Sequence, residues 1–465
     1  MKADLTIRNG TLILPSGRVH ADLAIQDGVF VAIGAPGTLQ GRDHVNASGM
    51  IALPGAIDMH VHFREPGATH KEDFWHGTAA AACGGVTTVC DMPNTKPGVT
   101  NAQAFAQKVE AIRNSAHVDF GLWAGGIEIG QFPELSRQGA VGLKIYMNRA
   151  PAGSQSYSDE LSMPDDATLV RVMRAAAEVD WPVCVHVANS SLDEAVKLNL
   201  LSSGRRHARD VCLMTRSPES AEAQSRIIHF AKITGARLHI AHISYNSMEA
   251  LEELRLAREV GVKVTAEVSP PCLNFDDLDR IGAFGTPFAH SDRDNARYMD
   301  ALRSGIIDVV ATDHAPHSRE EKLLGASDAW LAPTGYPAVE TMLPLLIDAV
   351  LKGHLSFERV AAITSENPAR ICSLLNKGAI AIGNDADFVI VDPDAECTID
   401  EGTLHSKAGW SPFHGRSLRG RVRRTYLRGE EISRDGEMVT NSPTGRPVLI
   451  DEQRTRSAVT SHILG

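Results

Sequence analysis

A chain of 465 residues with 43% hydrophobic, 22% charged and 5% aromatic residues has enough apolar material for a large core, and its composition is not that of a disordered chain. A formal net charge of -11 argues against a broad phosphate-binding surface, which needs clustered cations, and no apolar run approaches the roughly 18 residues of a membrane span. The expectation is a cytoplasmic protein acting on a small molecule, with no nucleic-acid or membrane partner, and its seven dispersed cysteines suit reduced thiols.

Residues 1–54 read as short strands, LTIRNGTLIL and ADLAIQDGVFVAIG, punctuated by Asn-Gly and Asp-Gly pairs that accept the positive φ angles of tight hairpins. From 55 to 370 the pattern becomes apolar runs separated by Ala-rich and charged helical stretches. Eight runs stand out: GAIDMHVHF, GVTTVCDM, HVDFGLWAG, AVGLKIYM, WPVCVHVA, ARLHIAHIS, VKVTAEVS and IIDVVATDH. Eight parallel strands close a (β/α)8 TIM barrel, whose active site lies at the strands' C-terminal ends. Residues 371–440 return to short strands (GAIAIGNDADFVIVD, RRTYLRGEEI), so the two ends are expected to build one small β-sandwich domain. Residues 441–465 read as an extended tail packed on the barrel or on a neighbouring subunit.

The ends of strands 1, 4, 5, 6 and 8 concentrate metal-binding residue types: His60 and His62, Lys144, His186, His242, and Asp313. His60 and His62 are two apart on a strand, so both side chains project to one face and can bind one ion. His239 competes with His242, but the odd offset puts the two on opposite faces of a strand, so only one is expected to point into the barrel. Arg64 lies two residues beyond His62, where its guanidinium fork can pair with a substrate carboxylate.

The segments DMHVHFREPG, GGVTTVCDMPNTKP, GLKIYM, VHVA, HIAHIS and ATDHAPH run in order over residues 55 to 320, and DADFVIVD and SKAGWSPFHGRSLRG follow near the end. Together they resemble the dihydroorotase, allantoinase and hydantoinase branch of the amidohydrolase superfamily, with class I dihydroorotase the nearest pattern. The resemblance implies two divalent metal ions, Zn2+ first among them, with His60, His62 and Asp313 on one and His186 and His242 on the other. It also implies that Lys144 is carboxylated by CO2 to a carbamate bridging both ions. That modification is physically sensible, since an ammonium beside two dications would be repelled whereas a carbamate is an anionic oxygen ligand. Asp313 would be the catalytic base, passing a proton from the attacking hydroxide to the leaving nitrogen.

The residues matching Arg64, Asn94 and His317 hold the ring carboxylate in dihydroorotases. Arg149 stands where hydantoinases and dihydropyrimidinases carry a tyrosine. Two segments depart from the dihydroorotase pattern: Pro270, Pro271, Cys272 and Leu273 replace PHHL, and Thr286, Pro287, Phe288, Ala289 and His290 replace NPPLR. The expectation is a dihydroorotase, opening dihydroorotate reversibly to N-carbamoyl-aspartate in pyrimidine biosynthesis. The alternatives are an allantoinase, a hydantoinase or dihydropyrimidinase-like hydrolase, and a non-catalytic structural subunit of the same descent. A homo-oligomer, dimer or tetramer, is expected.

Overall fold

The computed structural model describes residues 3–148, 159–214, 218–243, 249–270 and 272–450. Five strands open the chain: β1 (Ala3–Leu14), β2 (Gly17–Gln26), β3 (Val29–Gly34), β4 (Gly41–Asn46) and β5 (Ile51–Pro54). Eight strands then alternate with helices: β6 (Ala56–Val61), β7 (Val86–Asp91), β8 (Asp119–Leu122), β9 (Leu143–Tyr146), β10 (Pro182–His186), β11 (Arg237–Ile240), β12 (Val264–Val268) and β13 (Val309–Val310). Four more, β14 (Phe388–Thr398), β15 (Ser417–Leu427), β16 (Glu430–Arg434) and β17 (Glu437–Met438), complete the set.

The eight middle strands are parallel and form two arcs, β6-β7-β8 and β9 to β13. Two parallel bridges join the arcs, Ala124 to Leu143 and Val61 to His314, so the sheet closes on itself as a TIM barrel. The intervening helices begin where the chain supplies a side-chain acceptor for orphaned N–H groups. Asp73 accepts from the His76 amide, Asn101 from Ala104, Asp165 from Thr168 and Ser291 from Asp294. Helix Phe74–Cys83 is alanine-rich and almost wholly buried, and its Gly77 lies so close to the Phe63 ring that a Cβ there would sit 2.6 Å from it.

The two ends of the chain form one β-sandwich domain. β5 pairs antiparallel with β14, Ile51 opposite Val391 and Pro54 opposite Phe388, which fuses the opening and closing strands into a nine-stranded sheet. The sheet curls back on itself: the Phe30 amide of β3 donates to Asn384 O at 2.9 Å, and the Phe30 ring meets that of Phe388 with centroids 5.9 Å apart. Phe388 also stacks on Tyr426, and Ile7, Leu12, Leu23 and Ile390 fill the space enclosed.

After β17 the chain returns to the barrel. Phe120 of β8 donates its amide to Arg446 O and accepts from the Val448 amide, both at 2.9 Å. Higher along the same strand edge, Val141 donates to Leu122 O and Lys144 to Ala124 O. The seam between β8 and β9 is therefore shared: the tail covers its lower part and β9 its upper part. Residues 451–465 lie outside the described residues. Asp119, at the start of β8, accepts from Lys377, from Arg428 and from the Arg446 amide, and Lys377 also pairs with Asp385 and Asp387. This buried ionic cluster ties the barrel, the β-domain and the tail together.

Candidate metal centre and substrate pocket

His60 is the penultimate residue of β6 and His62 follows it by two, so both rings enter the barrel mouth, with centroids 5.2 Å apart. Asp313 follows β13 on the far side of the closing seam. Its Oδ1 lies 2.9 Å from His62 Nε2 and 3.3 Å from His60 Nε2. His186 ends β10, and its Nδ1 is 3.0 Å from His242 Nε2. Two donors each about 2.05 Å from a common ion are about 2.9 to 3.4 Å apart at coordination angles between 90° and tetrahedral. All three separations suit paired ligands. The His60 and His242 rings lie 5.5 Å apart, so the two groups adjoin.

The protonation chemistry also suits a cation. Burial pushes His62 down to about 4, and burial followed by the charge of Lys144 pushes His186 down to about 3, leaving both imidazoles neutral and so able to act as ligands. Burial opposes ionisation of Asp313, but the charge of His60 and the hydrogen bond from His62 hold its carboxyl well below the usual range. Lys144, on β9, is fully buried, with Cys184 Sγ at 3.9 Å and the Tyr146 ring centroid at 5.2 Å. No carboxylate of the described residues forms an ion pair with it. An unpaired buried ammonium is costly, whereas a carbamate in its place would be an anion that divalent ions could pair. The donor set therefore fits two divalent ions.

The faces of the two competing histidines differ from the sequence expectation. Lys144, Cys184, His239 and Thr265 form one cross-strand row through the paired strands, so all four share a face and His239 points inward with Lys144. His242 lies beyond the end of β11 at φ 32°, and that turn, rather than strand alternation, swings it to His186. His239 is held between Thr265 Oγ1 at 2.8 Å and Glu267 Oε2 at 3.1 Å.

The three residues expected to hold a carboxylate separate in role. Asn94 Oδ1 lies 2.7 Å from His62 Nδ1, so it steadies the ring of a candidate ligand. Arg64, 7% exposed at φ 62°, brings Nη2 within 3.5 Å of His317 Nε2. Among the described residues its Nε has no hydrogen-bond partner and no carboxylate forms an ion pair with it. His317 faces Lys71 Nζ at 3.1 Å on one nitrogen and Thr334 O at 3.1 Å on the other, and burial pushes it down to about 3. The carbonyl can only accept, so Nε2 carries the proton and Nδ1 accepts from Lys71. Glu321 Oε1 pairs with Lys71 Nζ at 2.8 Å, so the uncompensated positive charge of this buried pocket, beside the candidate metal centre, is that of Arg64. Sequence reasoning missed Lys71 and Glu267; a charged residue inside the apolar run VTAEV was the available signal for the latter.

The two departing segments meet in space. His290 donates its amide to Leu273 O at 3.1 Å, and the Thr286 carbonyl accepts from Gly335, next to the Thr334 that contacts His317. Arg149 and Pro271 lie outside the described residues.

A sequence model of the amidohydrolase family matches residues 51–432. The chain is 37% identical over 451 residues to a protein named allantoinase from Rubrobacter xylanophilus, covering 95% of this chain and 97% of that one. It is 39% identical over 409 residues to a protein named dihydroorotase from Halobacterium salinarum, covering 87% and 91%. The fold superposes on L-hydantoinase (dihydropyrimidinase) from Arthrobacter aurescens with a TM-score of 0.90 at 29% identity, over 96% of this chain and 99% of that one.

Proposed function

The chain belongs to the amidohydrolase family and is a hydrolase of cyclic amides, and from that premise we propose that it opens a cyclic ureide at a two-metal centre held by His60, His62, Lys144, His186, His242 and Asp313. The observation that carries this reading is the convergence of five imidazole and carboxylate donors, with the charge of the buried Lys144 felt at His186 and His242. Bound there, divalent ions such as Zn2+ would lower the pKa of water and polarise the amide carbonyl. Asp313, beside both His60 and His62, takes the proton of the attacking oxygen and returns it to the leaving ring nitrogen. The buried walls of the mouth limit water, which strengthens each of these charge interactions.

Allantoin is the first substrate to test, because the name allantoinase recurs among the full-length relatives. This reverses the order expected from the Arg64 motif. A second reading, dihydroorotate, is favoured by the buried Arg64, which has no ion-pairing carboxylate among the described residues and suits an acidic ring. Initial rates of the metal-loaded enzyme on allantoin, dihydroorotate, hydantoin and dihydrouracil separate the two. Full metal loading with no ring opened would refute the catalytic reading and leave the structural-subunit alternative.

A further inference from the structure

Glu267 lies on β12 with 1% exposure, in a strand otherwise made of Val, Thr and Ala. One of its oxygens, Oε1, takes a close contact from His60 Nδ1 and also accepts the backbone N–H of His242 at 3.2 Å. The other, Oε2, meets His239 Nε2 at 3.1 Å. A single buried carboxylate thus touches a candidate ligand of each ion, one through its ring and the other through its backbone.

We propose that Glu267 is a positioning residue that fixes which nitrogen of His60 faces the metal centre and anchors the turn carrying His242. The proposal rests on reading His60, His62 and Asp313 as metal ligands. A carboxylate that accepts the Nδ1 proton commits the imidazole to the tautomer whose lone pair is on Nε2, the atom 3.3 Å from Asp313. The negative charge also makes that lone pair a stronger donor. His62 is the internal contrast, since its Nδ1 faces the neutral amide oxygen of Asn94. His242 sits at φ 32°, where a non-glycine backbone is strained, and the Glu267 hydrogen bond to its amide holds it there. His239 occupies the second oxygen and keeps the carboxylate from rotating away.

Glu267→Gln preserves shape and removes the charge. Its amide oxygen can still face His60 and the His242 amide if the NH2 turns to His239, whose ring can present a lone pair by changing tautomer while it bonds Thr265. The variant should therefore fold and isolate the effect of charge. Chelator competition followed through the 15N-histidine resonances of His60 and His186 reads the two ions separately. The ion on His60 is expected to bind about 10- to 100-fold more weakly, the usual consequence of losing a partner behind a ligand, while the ion on His186 changes by less than about threefold. Unchanged binding at His60, or equal weakening at both ions, would overturn the proposal. Should the variant fail to fold, zinc-loaded wild type still decides: His60 must carry its proton on Nδ1 and its metal on Nε2, and the reverse assignment would overturn the idea. A wild type that takes up no ion would remove the metal reading and this proposal with it, whereas ion uptake indifferent to Glu267→Gln removes this proposal alone.

Discussion

At the scale of single residues, Arg64, His242 and Asp313 share a backbone property: all three take positive φ angles, 62°, 32° and 48°. Such conformations are costly for side chains with a Cβ, and each residue lies just past the end of its strand. There the two-residue alternation no longer decides where a side chain points. This is why the offset between His239 and His242 misled: the rule holds only as far as Ile240, and the turn beyond it resets the direction. Asp313→Asn keeps the shape of the site and removes the proton acceptor. Measured at saturating metal, with metal analysis showing both ions still loaded, turnover should fall by about 10²-fold or more. Near-normal turnover would take Asp313 out of the chemistry. Arg64→Met should weaken hydrolysis of a carboxylate-bearing ring by roughly 30-fold to several thousand-fold, the cost of truncating one side of a buried charge pair, and hardly alter dihydrouracil. Equal effects on both rings would show that Arg64 acts on the fold instead.

At the scale of elements, the eight barrel strands were legible because buried parallel strands read as continuous apolar runs bounded by turn residues, and each of the eight runs contains one observed strand. The strand pairing of the tail was not legible. Residues 445–448 carry Gly, Arg, Pro and Val with no period, and their pairing with β8 depends on an edge that only the closed barrel presents. Glu267 was hidden for a related reason, since nothing in VTAEV says which strands its carboxylate will reach. Gly445 offers a test of the tail. A Cβ there would lie 2.0 Å from Val118 O, so Gly445→Val cannot dock without moving backbone. Overpacking of this kind costs about 1 to 3 kcal/mol, and the denaturation midpoint should fall accordingly while metal binding persists. An unchanged midpoint would mean the tail contributes nothing to closing the barrel.

At the scale of the whole molecule, Lys377 draws Asp119, Asp385 and Asp387 within 2.6 to 2.8 Å and is itself 4% exposed. Lys377→Met leaves Asp385 and Asp387 without that cation and Asp119 with Arg428 alone, and removing one partner of such a buried group costs about 3 to 5 kcal/mol. Thermal unfolding should show the loss, with partial relief in acid as the carboxylates protonate; a pH-independent Tm equal to wild type would contradict it. The pairing of β5 with β14 bears on a different matter, the order in which the chain is made. Ile51 emerges early from the ribosome, yet its partner Val391 is translated only after the entire barrel, about 20 to 70 s later at roughly 5 to 20 residues per second. For that interval the nascent first half of the β-domain presents an open, apolar strand edge (Ile-Ala-Leu) with no mate in the chain yet synthesised. Because Ile51–Pro54 pairs with Phe388–Val391, that edge is covered only once β14 has been made, and until then it is open to edge-to-edge pairing.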